Sequence, residues 1–189
     1  MRISAYWISN FIYDFLLYLI VAIVAVGISK ALSISAFTNG SAFAATCLLF
    51  LFYGLSYISF TYIFAFLFKD YGNAQAGFYF LTFIVGGMLP ILTFLLRFLS
   101  ASSNPVGRGI AWVLRIYPAF AFGEGLLNLG SGTLYGTYEN NNRPLDPLAL
   151  EMALAPIIYL VVESFLYFGL LFLIEALIKN ENFMRCFTS

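Results

Sequence analysis

"RIYPAFAFGEGLLNLG", residues 115–130, decides how this chain meets a membrane. It belongs to an apolar block from Ile110 to Leu129, long enough to cross a bilayer only as one continuous helix. Yet the stretch holds Arg115, Pro118, Glu124 and the glycines Gly123, Gly125 and Gly130. Proline removes a backbone donor and glycine costs a helix interior about 1 kcal/mol. The spacing therefore predicts two short helices meeting at "YPAFAFGEG", with Pro118, Gly123 and Gly125 as the hinge. Such a re-entrant hairpin over about 110–129 enters the bilayer partway and returns to the same side, its freed backbone groups sheltered by protein or water. A single kinked span is the alternative. No particular side chain is demanded at Glu124.

Composition sets the surroundings. The 189 residues are 62% hydrophobic, 20% aromatic and 10% charged, far from the roughly 25% charged of soluble domains. This is the composition of an integral, multi-pass membrane protein. Formal charge is zero, so no basic face offers itself to nucleic acid. There is no His, which removes Ser/His and Cys/His catalysis and every His-containing metal cage. Cys47 and Cys186 form no CxxC pair and say nothing of function. The opening "MRISAYWISNFIYDF" does not read as a cleaved signal peptide.

Four further segments are long enough to cross, at 1.5 Å rise per residue: about 8–29, 43–68, 76–99 and 152–178. The expected fold is thus an all-α polytopic bundle, four full spans plus the hairpin. Asp14 lies in the first turns of the first span, where the helix dipole favours a carboxylate. Pro90 follows "GGML" in the third span and predicts a kink. Arg97, near that span's end, can snorkel to the interface. The interval 131–150 reads as an exposed loop, and Asn39-Gly40-Ser41 is an N-glycosylation acceptor.

Glu163 is the strongest functional candidate, because an ionisable group near a span's centre costs about 2.5 kcal/mol or more unless it faces protein, water or a partner. Its plainer reading is a hydrogen bond between helices. Arg115 can pair with either Asp14 or Glu163. Charge bias fixes no orientation: if the hairpin is re-entrant, Arg2, Lys69, Lys179 and Arg185 share one side, and Lys30, Arg97, Arg108 and Arg143 the other.

The order of these features resembles the ABC-2 type transmembrane domain of the A subfamily of ABC transporters, the lipid exporters, from the third to the sixth membrane helix of one half. The likeness rests on "YWISNFIYDF" (6–15), "LLFLFYGLSYISFTYIFAFLF" (48–68), "RIYPAFAFGEGL" (115–126), "RPLDPLAL" (143–150) and "VVESFLYF" (161–168). It implies that the hairpin is a pair of exit helices dipping in from the extracytosolic side, that both termini are cytosolic, and that the loops around Asn39 and at 131–150 face outward. It implies membrane lipid as substrate, with a nucleotide-binding domain, its ATP and Mg, and a second transmembrane half as partners.

The family's first two helices, extracytosolic domain and nucleotide-binding domain are missing from these residues, as in a fragment or a truncated product that borrows them. "GNAQAG" at 72–77 is followed by Phe78 where a phosphate loop needs Lys, so ATP hydrolysis is not expected of this chain. Two other classes remain in view. A channel or structural membrane subunit would place Glu163 on a pore, whereas an intramembrane enzyme lacks a base or a mid-membrane Lys to activate a nucleophile.

Overall fold

A computed structural model describes residues 3–66, 71–99, 104–132 and 146–179. All regular structure among them is helical. Helix α1 spans Ile3–Ala31, a short α2 spans Ser35–Thr38, and α3 returns over Gly40–Ala65. The third crossing is composite: α4 (Tyr71–Leu81), a π-helical segment (Thr82–Met88) and α5 (Leu89–Leu99). Then come α6 (Asn104–Leu114), α7 (Pro118–Gly130), a second π-helical segment (Leu150–Leu154) and α8 (Ala155–Lys179). Four segments are long and apolar enough to cross a membrane: Tyr6–Ala31, Gly40–Ala65, Gln75–Arg97 and Leu150–Leu177. The chain is an integral multi-pass membrane protein.

The 110–129 block is not a rod. At 1.5 Å per residue α6 reaches about 16 Å and α7 about 20 Å, so neither arm crosses a hydrocarbon core of roughly 30 Å. Both arms open at one end of the bundle. A Cβ on Gly130, at the end of α7, would lie 3.6 Å from Phe37 in α2, the connection between the first two spans. Arg108, near the start of α6, reaches Glu151 at the start of the last span at 3.4 Å. The elbow, Arg115–Tyr117, packs against the bundle partway along it: Tyr117 meets Phe60 of α3 ring to ring at 5.1 Å, and Tyr167 of α8 donates a hydrogen bond to the Ile116 carbonyl.

The hinge differs from the sequence expectation. The chain turns at 115–117, and Pro118 is the first residue of α7, where its missing N–H costs no helical bond. Gly123 and Gly125 lie within α7. Their role is close approach: a Cβ on Gly123 would sit 2.6 Å from the Gly86 carbonyl oxygen, and one on Gly125 would sit 2.7 Å from Leu49. On the facing side, a Cβ on Gly86 would meet Ala119 at 2.6 Å. Small residues thus let α7 and the π-helical segment touch backbone to backbone, the standard means of packing helices in lipid. The π-helical turns end just ahead of Pro90, where the ring of the proline blocks the regular i→i−4 pattern.

The core joins three elements. Ala45 and Leu49 of α3, Ala121 and Leu129 of α7, and Ala153, Ile157 and Leu160 around the start of α8 are all buried together. By contrast α1 leans on α3 and leaves Ile12, Leu16, Ile20, Val24 and Ile28 exposed. In a bilayer those side chains face lipid or another helix. The loop expected over 131–150 falls mainly on 133–145, outside the described residues, as do Lys69, Arg143 and Arg185.

Candidate functional site

Three ionisable side chains converge inside the hairpin. Glu124 lies midway along α7, Arg115 at the elbow, and Arg97 near the far end of α5. The Arg115 guanidinium grips the carboxylate with two donors, Nε to Oε2 at 2.6 Å and Nη2 to Oε1 at 2.9 Å. Arg97 Nη2 donates to the same Oε1. All three are almost wholly removed from solvent, with side-chain exposures of 3% for Glu124, 5% for Arg115 and 6% for Arg97. Two long cationic side chains thus meet on one acid, tying the elbow and α7 to the third span. Such bidentate, charge-assisted bonds are the strong ones.

This arrangement corrects two expectations. Arg97 does not snorkel to an interface, because a carboxylate within reach in the interior is a better partner than the edge of the membrane. Arg115 pairs with Glu124 and with neither Asp14 nor Glu163. Glu124, left open by the sequence, is the hub. Its signal was present all the same: a Glu set among apolar residues, with arginines on neighbouring apolar helices, has to find a cation or leave the membrane.

Aromatic rings close around the elbow. The Arg115 guanidinium carbon lies 4.8 Å from the Trp112 ring centre and 5.8 Å from that of Tyr159. A hydroxyl chain holds the elbow from the other side, with Thr82 Oγ1 bonded to Tyr117 at 2.7 Å and to Tyr57 at 3.1 Å. Thr82 opens the π-helical segment, so one side chain links α3, the third span and the hairpin. Asn128 of α7 donates to the Met152 carbonyl at 2.8 Å, which answers a backbone acceptor in the irregular start of the last span. The sheltering that broken backbone needs in lipid is therefore supplied by protein.

The remaining candidates lie apart. Asp14 accepts a hydrogen bond from Tyr62 and so joins α1 to α3. Glu163 is buried at 5% exposure, and neither carboxylate oxygen has a hydrogen-bond partner among the described residues. Asn39 is exposed between α2 and α3. The stretch 72–77 is helical within α4, and Phe78 after it is buried, so no phosphate-cradling loop forms there. Among the described residues no group of three His, Cys, Asp or Glu could hold a metal ion.

The comparisons with known proteins agree with this architecture. Residues 1–173 match the family described as ABC-2 family transporter protein. The chain is 30% identical over 208 residues to the mouse glucosylceramide transporter ABCA12, covering 99% of this chain and 8% of that protein. It is 31% identical over 129 residues to human ATP-binding cassette sub-family A member 13, covering 66% and 3% respectively. With ABC transporter A family member 7 of Dictyostelium discoideum it shares 30% over 183 residues, 96% of this chain and 20% of the relative. The chain thus spans a fifth or less of the length of each of these three.

Proposed function

Because the chain belongs to the ABC-2 transporter family and forms a membrane-spanning part of such a transporter, we propose that it serves an ATP-driven exporter that moves lipid across or out of the membrane. The observation that carries this reading is the hairpin. Its elbow is bonded to α8 through Tyr167 and to the third span through Thr82, and α7 is bonded to the third span through Arg97, so a shift of either span carries the hairpin along. Short, half-inserted helices of this kind make a movable wedge beside a lateral lipid path. The relative named as a glucosylceramide transporter supports a lipid cargo.

In this proposal ATP and Mg act at a nucleotide-binding domain outside these residues, and a second transmembrane half completes the bundle. The part played by the residues here is to favour lipid differently in two arrangements of the spans, since only a differential fit can move cargo. Both termini then face the cytosol, and Asn39 faces the side where glycosylation occurs. The channel reading fares less well. Glu163, its candidate pore residue, is packed inside the bundle.

The test uses a protein that carries these residues joined to a nucleotide-binding domain, reconstituted in lipid vesicles. Lipid-stimulated ATP hydrolysis and transfer of a fluorescent lipid are expected. ATP hydrolysis indifferent to lipid, with no lipid movement, would overturn the proposal, and ion current from the chain alone that Glu163→Gln abolishes would favour the channel.

A further inference from the structure

Two buried polar groups near the elbow have no use in the contacts described so far. Among the described residues Arg115 Nη1 has no hydrogen-bond partner although the guanidinium is engaged through its other two nitrogens, and both oxygens of Glu163 are likewise unpartnered. Burying such atoms without partners is costly, more so for groups that carry charge. The two also stand at the same level of the bundle. Tyr159, one turn before Glu163, lies beside Trp112 at 5.7 Å and beside the Arg115 guanidinium at 5.8 Å. Tyr167, one turn after it, bonds to the carbonyl of Ile116. Residues 159, 163 and 167 form one stripe of α8, with Cβ atoms about 5 to 6 Å apart at each step. Both neighbours on the stripe touch the segment 112–116, and Glu163 lies between them on that stripe.

The geometry points to a second seat for Arg115: its guanidinium exchanges Glu124 on α7 for Glu163 on α8, so that the elbow has two positions relative to the last span. In the arrangement described here Arg115 reaches back along α6, under Trp112, to Glu124. Turning the same side chain toward α8 gives both Glu163 oxygens a donor, takes from Glu124 Oε2 the donor it has now, and removes the cation from the Trp112 ring. Arg97 stays with Glu124, which therefore keeps a cation in both arrangements. The exchange moves one side chain and needs no helix to unfold, and it makes Arg115 and Glu163 positioning residues for the hairpin. It goes beyond the proposed lipid cargo and stands or falls without it.

Trp112 reports the exchange directly. The chain holds two tryptophans, so Trp7→Phe with 5-fluorotryptophan leaves a single fluorine signal at 112. In lipid nanodiscs, Glu124→Gln is expected to shift that signal as Arg115 passes to Glu163, and adding Glu163→Gln is expected to shift it again. Thermal melting should show the same coupling: the double variant falls by roughly 5 °C or more beyond the sum of the two single losses. Coincident fluorine spectra for Glu124→Gln and the double variant, with additive melting losses, would overturn the exchange. Should Glu124→Gln fail to fold, Glu163→Gln alone decides. A shift of the Trp112 signal supports the second seat, and a spectrum unchanged from that of the parent chain rules it out.

Discussion

Glu124 answers two guanidiniums from a position where hydrocarbon would surround a crossing helix, and its removal has an asymmetric cost. Glu124→Gln keeps the shape but takes from the buried Arg97 and Arg115 guanidiniums the carboxylate they share, which is expected to cost about 3 to 5 kcal/mol. Unfolding in mixed detergent micelles should show this as a lower midpoint. Replacing all three charged residues together, Arg97→Met, Glu124→Leu and Arg115→Met, removes the buried charge along with the bonds. That triple variant should recover most of the lost stability, because apolar replacement of a buried ion cluster is often neutral or better. The same triple variant, built into a transporting protein, should lose lipid transfer if the cluster serves to position the elbow. Stability without transport is thus the expected signature, and a triple variant that transports normally would reduce the cluster to packing.

At the scale of the element, the hairpin depends on glycines for proximity and not for bending. Gly123→Ala drives a methyl group into the Gly86 carbonyl and against Pro90, both of them stiff, and should cost about 1 to 3 kcal/mol. Gly109 in α6 has nothing within 4 Å of its missing Cβ, so Gly109→Ala should hold or gain up to about 1 kcal/mol through helix propensity. A pair of melting curves separates these outcomes, and equal losses at both positions would deny the close contact between α7 and the third span. The contrast also marks what the sequence could disclose. Hydrophobic length and the Pro118 break are local properties, so the four spans and the interrupted block were legible from residue order alone. The role of Gly123 was not, because a glycine in an apolar run reads alike whether it bends a helix or admits a neighbour. Glu124 was missed for a related reason: its partners lie nine and twenty-seven residues away in sequence, and only the return of α7 alongside α5 brings Arg97 within reach.

The arrangement of the whole molecule turns on which ends share a side, and four crossings around a half-inserted hairpin give one answer. α1 crosses, α3 returns, the third span crosses again, the hairpin opens at the far end, and α8 comes back. The connection at Ser35, the α6 residue Val106 and the end of α7 at Ser131 should therefore face one compartment, and the two ends of the chain the other. With Cys47 and Cys186 replaced by alanine, single cysteines at 35, 106 and 131 are expected to react with an impermeant maleimide from the same side of sealed vesicles. A cysteine at Ile116 should resist the reagent from both sides, since the elbow stops within the bilayer and this exposed side chain then faces lipid. A tag on the N-terminus and one on the C-terminus should be cut by protease together, from the opposite face. If 106 and 131 labelled from opposite faces, the block would be a true crossing, the chain ends would part, and α8 would run the other way through the membrane. The geometry argues against it: an arm of about 16 Å and one of about 20 Å, both packed on the third span and opening at the same end of the bundle, have the length to reach the middle of a bilayer and return, and neither passes through alone.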